Sequence, residues 1–156
     1  MSVSLALYQP DIAQNTGTMI RLAACLNISL HIIHPTGFAF SEKILKRSGM
    51  DYVDFSSITE HNSFLMFEKW RAKQGKRLVL LSTKASASIY QHQFSENDIL
   101  MMGRESAGVP LEVANITDVK VRIPMDKDKR SINVALSAAI VLGEAMRQTG
   151  GFDELK

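Results

Sequence analysis

The sequence has 156 residues, of which 46% are hydrophobic and 22% charged, and its formal net charge is +2. A chain of this length and balance is typical of one globular domain with a substantial core and gives no sign of disorder. The mild positive charge excludes no class of partner, but no apolar run approaches the roughly 18 residues of a membrane span, so we expect a cytoplasmic protein with no membrane contact.

The first half of the chain alternates short apolar runs with helical patterns. Strands are predicted at Val3–Tyr8, Ser29–His34 and Tyr52–Phe55, and helices at Thr18–Leu26, Ser41–Ser48 and Phe64–Lys73. Asn15 or Thr16 is available to cap the first of these helices. The second helix opens on a capping pattern and ends at Gly49.

The second half of the chain continues the alternation. Strands are predicted at Leu78–Ser82, Asp98–Met102 and Val119–Ile123, and the longest helix at Ser131–Gln148. Alternating strands and helices indicate an α/β fold, with a mainly parallel sheet flanked by helices. We expect a single domain over residues 1–156, because no repeat or linker-like segment interrupts the pattern.

The last helix is apolar on two faces. One face carries Ile132, Ala135, Leu136, Ala139, Ile140 and Gly143, and the other carries Val134, Ala138, Val141 and Ala145. A helix that is buried on two sides in so small a domain needs a second partner, and a homodimer interface is the natural candidate.

Three polar loops lie where a predicted strand gives way to a helix. They are Asn15-Thr16-Gly17 leading to Arg21, Gly103 to Pro110, and Ile123-Pro124-Met125 followed by Arg130-Ser131-Ile132-Asn133. In an open α/β sheet, ligands bind beyond the strand ends, where helix N-termini and loop amides gather. The three loops therefore indicate one composite site.

Each loop also has a purely structural interpretation. Gly103 and Gly108 have the spacing of a phosphate-binding loop but lack its lysine, so a tight connection with a helix cap stays open. Ser131 and Asn133 are both favoured capping residues. Arg21 stands among apolar neighbours, which indicates that it is paired or faces a cleft.

Other side chains give weaker signals. The four histidines show no ligand spacing, so no metal site is expected, and Cys25 lies in an apolar stretch that predicts a small core residue. Basic residues cluster at Lys43–Arg47, at Lys69–Arg77 and at Lys127–Arg130, and the last cluster lies in a site loop where it could meet a phosphate backbone.

Together the loops resemble the three ordered motifs of the SPOUT (SpoU–TrmD) RNA methyltransferases. The matching residues are Asn15-Thr16-Gly17 with Arg21, Met102-Gly103-Arg104-Glu105 with Gly108-Val109-Pro110, and Ile123-Pro124-Met125 with Arg130-Ser131-Ile132-Asn133. The likeness extends over nearly the whole chain, including Leu7-Tyr8-Gln9-Pro10 and Gly49-Met50-Asp51-Tyr52. Within the superfamily, the chain is most similar to the TrmL (YibK) subgroup of tRNA wobble-nucleotide 2′-O-methyltransferases, which have no separate RNA-binding domain.

The resemblance implies a fold that the pattern alone does not give. In this family the C-terminal segment forms a trefoil knot, which general topology rules would exclude. S-adenosylmethionine binds in the knot, and the family's contacts map onto Leu81, Gly103, Ile123, Met125 and Ser131. The family also implies an obligate homodimer, in which each site is completed by the partner chain.

The resemblance further implies methyl transfer to the ribose 2′-hydroxyl of nucleotide 34, cytidine or modified uridine, in the anticodon stem-loop of tRNA, with leucine tRNAs as the expected substrates. Arg21, Asn15, Glu105 and Asn133 are the implied catalytic residues. Because an arginine is a poor base, we expect Arg21 to bind phosphate and to stabilise the developing alkoxide. The alternatives are a non-catalytic knotted RNA-binding protein and a small-molecule α/β enzyme.

Overall fold

The computed structural model describes residues 2–47, 55–129 and 131–156. The strands are β1 Ser4–Tyr8, β2 Leu30–Ile33, β3 Ile58–His61, β4 Arg77–Leu81, β5 Ala87–Ser88, β6 Asp98–Met102 and β7 Val119–Arg122. The helices are α1 Ala13–Cys25, α2 Glu42–Arg47, α3 Phe64–Gln74, α4 Leu111–Ile116 and α5 Val134–Thr149.

The seven strands of the described ranges form one sheet in the order β3-β2-β1-β6-β4-β7-β5, and every neighbouring pair is parallel. This confirms the predicted α/β class with a parallel sheet. The chain builds outward from β1 through β2 to β3 and then returns to the other side of β1. The strand order therefore reverses beside β1 and β6, and such a switch point opens a crevice at the carboxyl ends of the strands.

Two apolar layers cover the sheet. Leu5, Leu30 and Leu100 belong to the cluster that packs on α1 and α5, whereas Leu78 and Ile99 belong to the cluster that contains Phe67 of α3. Strands buried on both faces are continuous apolar runs, which is why β1, β4 and β6 were predicted within one residue of their observed bounds.

Helix α1 begins five residues earlier than predicted. Ile12 is its N-cap and makes no side-chain capping bond, while the Thr16 amide donates to the Ile12 carbonyl at 3.1 Å. The prediction that Asn15 or Thr16 caps this helix is therefore wrong, because both residues lie within its first turn. The Asn15 side chain is consequently free for another role.

Helix α5 begins three residues later than predicted. Asn133 is its cap, and the Asn133 side-chain oxygen accepts from the amides of Ala135 at 2.8 Å and Leu136 at 3.2 Å. Ser131 precedes the helix, so of the two capping candidates it is Asn133 that fills this role. Ser131 remains in the loop that enters the helix.

Three short elements were not predicted. Strand β3 has two exposed residues and no apolar run, β5 has only two residues, and α4 has six. The strand predicted at 52–55 lies outside the described residues except for Phe55, which precedes β3 without joining it. The predicted end of the second helix at Gly49 also lies outside the described residues.

The two faces of α5 meet different surroundings. Ala138, Val141 and Ala145 are buried in the core, whereas Leu136 is 60% exposed and Ala139 is also exposed. Cys25 of α1 is exposed too, so its prediction as a core residue is wrong. No helix within the described residues is long and apolar enough to span a membrane.

Candidate functional site

A cleft of about 700 Å³ opens beyond the carboxyl ends of β6, β4 and β7. The first turn of α1, the loop that follows β6, helix α4 and the entry to α5 form the rest of its wall. The cleft thus lies beside the strand-order reversal, where parallel sheets bind ligands.

All five residues predicted to bind a cofactor line this cleft: Leu81, Gly103, Ile123, Met125 and Ser131. They come from three strand ends and the loop before α5, which lie far apart in the sequence. On the side of β4 and β7, the apolar residues Leu80, Leu81 and Ile123 line the cleft together with Ser82, Thr83, Lys84 and Lys120.

Three of the four predicted catalytic residues also line the cleft: Asn15, Glu105 and Asn133. The Asn133 Nδ2 donates to the Asn15 Oδ1 at 3.1 Å, so the starts of α1 and α5 are joined at the wall of the cleft. Asn15, Glu105 and Asn133 therefore give the cleft a polar side.

Arg21 does not line the cleft of its own chain. It is exposed on α1, six residues beyond Asn15. At about 100° per residue, six residues turn a helix by about 240°, so the two side chains leave α1 on different sides. The expectation that Arg21 faces a cleft is not met within one chain.

The loop that follows β6 closes on itself. The Arg104 amide donates to the Gly108 carbonyl at 3.0 Å, and the Gly108 amide returns a bond to the Arg104 carbonyl at 2.9 Å. A Cβ at Gly103 would lie 2.9 Å from two backbone atoms of Gly108, and Gly108 itself has φ +61°. Both glycines are required by this closure, whether or not a ligand approaches the loop.

Arg104 was not predicted as a site residue. Its guanidinium lies 5.6 Å from the centre of the Tyr8 ring, and its Nε donates to the Gly108 carbonyl at 3.0 Å. A cation over an aromatic ring is held by the ring's negative face, so this side chain braces the loop against β1.

Asp11 is a second residue that sequence reasoning missed. Its amide donates to Glu105 Oε2 at 3.0 Å, and the Ser106 hydroxyl bonds to Asp11 Oδ2. The neighbouring Glu105 side chain lowers the pKa of Asp11, whereas burial and then the Asp11 side chain raise the pKa of Glu105. Asp11 and Glu105 are 94 residues apart, so no local signal predicts the pair.

A smaller hollow of about 330 Å³ adjoins the cleft and shares Thr83, Ile123 and Met125 with it. Arg122, Lys127 and Lys129 line this hollow, so part of the third basic cluster lies beside the cleft. Within the described ranges, no group of three His, Cys, Asp or Glu residues is placed to hold a metal ion.

Comparison with known proteins gives a consistent family assignment. Residues 2–143 match the SpoU rRNA Methylase family. A curated relative from Ancylobacter novellus, a tRNA (cytidine(34)-2′-O)-methyltransferase, is 49% identical over 152 residues, which cover 97% of this chain and 96% of the relative.

Two solved structures share the fold. One, described as giving structural insights into the 2-OH methylation of C/U34 on tRNA, superposes with a TM-score of 0.86 at 39% identity and covers 94% of this chain and 95% of the other. An AdoMet-bound rRNA methyltransferase from Sinorhizobium meliloti superposes with a TM-score of 0.81 at 28% identity over 94% of this chain and 56% of the other.

Proposed function

The chain belongs to the SpoU rRNA methylase family, and from that premise we propose that it methylates the ribose 2′-oxygen of nucleotide 34 in tRNA. S-adenosylmethionine is the methyl donor. The observation that carries the proposal is end-to-end similarity to a tRNA (cytidine(34)-2′-O)-methyltransferase, at 49% identity over 97% of the chain. The cleft supports it, because all five residues that the resemblance assigns to the cofactor line this one cleft.

The cleft fits S-adenosylmethionine in size and chemistry. About 700 Å³ lies within the usual range for pockets that bind small molecules. Leu81, Ile123 and Met125 offer apolar surface for an adenine ring, and Gly103 keeps the wall free of a side chain where the loop closes. Ser131 supplies a hydroxyl on the same wall.

Bound S-adenosylmethionine supplies a methyl group on a positively charged sulfur, which is already activated for displacement. The protein must therefore place the 2′-oxygen in line and stabilise it as its proton leaves. We assign the placement to Asn15 and Asn133, whose mutual hydrogen bond fixes both amides at the polar side of the cleft. Glu105 lines the same cleft.

We propose that Arg21 acts in the cleft of a second copy of the chain. Arg21 is exposed and does not line its own cleft, yet the family resemblance gives it a role in the reaction. The exposed face of α5, with Leu136 and Ala139, supplies an apolar surface for a homodimer. In such a dimer, the guanidinium would bind the phosphate beside nucleotide 34 and stabilise the developing alkoxide.

The finer points of the proposal rest on the family resemblance. They are a trefoil knot formed by the C-terminal segment of the chain, leucine tRNAs as substrates recognised through the anticodon stem-loop, and action in the cytoplasm. The basic side chains of Arg122, Lys127 and Lys129 support an RNA partner, because they place positive charge next to the cleft.

A methyl-transfer assay on defined tRNAs tests the proposal. The protein is incubated with methyl-labelled S-adenosylmethionine and leucine tRNA, and the labelled nucleotide is mapped after nuclease digestion. Label is expected on the ribose of nucleotide 34, and a matched tRNA with 2′-deoxyribose at that position alone should accept none. Tight tRNA binding without label would favour a non-catalytic RNA-binding protein, and label at another nucleotide would contradict the assigned position.

A further inference from the structure

We propose that Asp11 is a positioning residue of the site, which shares one proton with Glu105 and thereby fixes the glycine-rich loop of residues 103–108 at the mouth of the cleft. The shared proton is a property of the folded chain alone. Its effect on methyl transfer rests on the function proposed above, whereas its existence does not.

Two contacts join Asp11 to the loop. The Asp11 amide donates to Glu105 Oε2 at 3.0 Å, and the Ser106 hydroxyl bonds to Asp11 Oδ2. Asp11 immediately precedes Ile12, the N-cap of α1. The contacts therefore tie the start of α1, where Asn15 lies, to the loop that carries Glu105.

Two oxygen atoms of the pair point to the proton. Asp11 Oδ1 and Glu105 Oε1 are both buried and have no hydrogen-bond partner among the described residues. Two ionised carboxylates side by side would repel each other and leave both oxygens unsatisfied. One proton between the carboxyl groups removes the repulsion and gives each of these oxygens a partner.

The surroundings keep Asp11 from turning away. A Cβ at Gly37 would lie 2.6 Å from the Asp11 Cβ and 2.8 Å from its Cα, so the backbone of the loop after β2 packs directly against Asp11. The Gly37 amide also donates to the Pro10 carbonyl at 2.9 Å. Asp11 is thus held between two loops, and its carboxyl group faces Glu105.

Charged groups on the neighbouring elements are engaged elsewhere. In the loop after β6, Arg104 stacks over Tyr8 and bonds to the Gly108 carbonyl, and in the loop after β2, His34 bonds to Glu60 at 2.8 Å. The pKa of Asp11 is lowered chiefly by the Glu105 side chain, and the pKa of Glu105 is raised by burial and by Asp11. The proton therefore resides on Glu105 and is donated to Asp11.

The arrangement has a defined dependence on pH. The pKa of Glu105 is raised in the folded protein. The shared-proton bond between Asp11 and Glu105 is therefore fully formed below the ordinary Glu range and weakens as pH rises through that raised pKa. Above that point two negative charges face each other and the loop is pushed from α1. At the acid extreme, Asp11 takes up a proton below its lowered pKa, and Glu105 then no longer faces a carboxylate.

The test is a pH titration of the side-chain carboxyl carbons by nuclear magnetic resonance on the full-length protein. In the parent protein we expect Glu105 to titrate above its ordinary range and Asp11 below. In Asp11→Asn the amide replaces the shared proton as donor, so the Glu105 transition should move to lower pH. Glu96→Gln is the matched control, because Glu96 is exposed at the opposite end of the sheet and should leave the Glu105 transition unchanged.

Two ordinary, independent transitions in the parent protein, or a Glu105 transition that does not move in Asp11→Asn, would overturn the proposal even if methyl transfer is fully confirmed. The activity profile adds a second readout. The decline of methyl transfer at high pH should be present in the parent protein and in Glu96→Gln but absent in Glu105→Gln, whose amide donates to Asp11 at every pH. An identical decline in the parent protein and both variants would contradict a positioning role for the pair.

Discussion

The side chain of Asn133 donates to that of Asn15 at 3.1 Å, across 118 residues of sequence, and the same Asn133 caps the last helix. One asparagine thus starts α5 and fixes a polar group of the cleft. Its side-chain oxygen caps the helix and its side-chain nitrogen bonds to Asn15 in the cleft, so the two roles are separable by substitution.

Asn133→Asp should keep the helix and impair the site. A carboxylate still accepts from the amides of Ala135 and Leu136, but it cannot donate to Asn15, so stability should stay near parental while methyl transfer falls at least tenfold. Asn133→Ala should lose the cap as well, at a cost of about 0.5–2 kcal/mol in the free energy of unfolding. Chemical denaturation and the tRNA assay measure the two effects.

Ser63→Ala is the matched control for this pair of variants. Ser63 caps α3 by accepting from the Met66 amide at 3.2 Å, and it does not line the cleft. Its loss should lower stability by a similar amount and leave methyl transfer unchanged. Equal activity in Asn133→Asp and the parent protein would remove the Asn15–Asn133 bond from the function.

Gly103→Ala should open the loop that follows β6. A Cβ there meets the Gly108 backbone at 2.9 Å, which is closer than real Cβ atoms approach, so the two bonds between Arg104 and Gly108 must lengthen or break. We expect S-adenosylmethionine affinity to fall at least tenfold, with a larger loss in Gly103→Val. Calorimetry on folded protein, verified by circular dichroism, checks this, and parental affinity in both variants would contradict it.

The part of the fold that sequence could predict is the part with long apolar runs. Asp98–Met102 was predicted to the residue because it is fully buried and ends at Gly103, whereas Ile58–His61 carries two exposed residues and joins the sheet only at its edge. The motif residues around the cleft followed from the family resemblance. The Asp11–Glu105 pair could not follow, because it depends on two loops that meet only after the sheet has formed.

Acidification should destabilise the protein through a buried histidine pair. His31 Nδ1 and His61 Nε2 lie 3.0 Å apart beside Trp70, and burial, with the neighbouring His61 and Lys76 charges, lowers the pKa of His31 to about 4. Below the ordinary histidine pKa of 6.5, the unfolded chain binds a proton at His31 that the folded chain does not. The contribution of uncharged His31 to stability is therefore complete above pH 6.5 and is lost between pH 6.5 and about 4. For one such group, the free energy of unfolding falls by up to about 1.4 kcal/mol per pH unit.

Denaturation at a series of pH values measures this loss. His31→Phe removes the titrating group. The stability of the parent protein minus that of this variant should therefore decrease steadily as pH falls from 6.5. His34→Phe is a useful comparison, because His34 is bonded to Glu60 outside the buried pair. A parallel pH dependence for the parent protein and His31→Phe would show that the buried pair does not couple folding to protonation.

A charged side chain on the exposed face of α5 should break the proposed dimer. Ala139→Arg places a cation where the apolar face would be buried, and an unpaired buried charge is strongly destabilising. Ala72→Arg on α3 is the matched control, since Ala72 is an exposed alanine on the helix that covers the other layer of the sheet. Light scattering should show a dimer for the parent protein and Ala72→Arg and a monomer for Ala139→Arg. A monomeric, active parent protein would refute the dimer.

Arg21 should separate chemistry from cofactor binding. Arg21→Ala is expected to leave S-adenosylmethionine affinity near parental, because Arg21 does not line the cleft of its own chain, while methyl transfer falls by about two orders of magnitude. Arg21→Lys should recover only part of the rate, since an ammonium group cannot reproduce the planar two-bond contact of a guanidinium. A folded, dimeric Arg21→Ala with near-parental methyl transfer would remove this residue from the reaction.

Mixed dimers show which chain supplies Arg21. We expect Arg21→Ala and Gly103→Val chains each to be nearly inactive as homodimers. A mixed dimer, however, would combine one cleft that has Gly103 intact with an intact Arg21 on the other chain. If Arg21 acts across the interface, co-refolding equal amounts should restore about a quarter of the parental rate, because half of the dimers are mixed and each has one active site of two. If Arg21 acts within its own chain, no site in any mixed dimer is complete and the rate stays at the level of the separate variants.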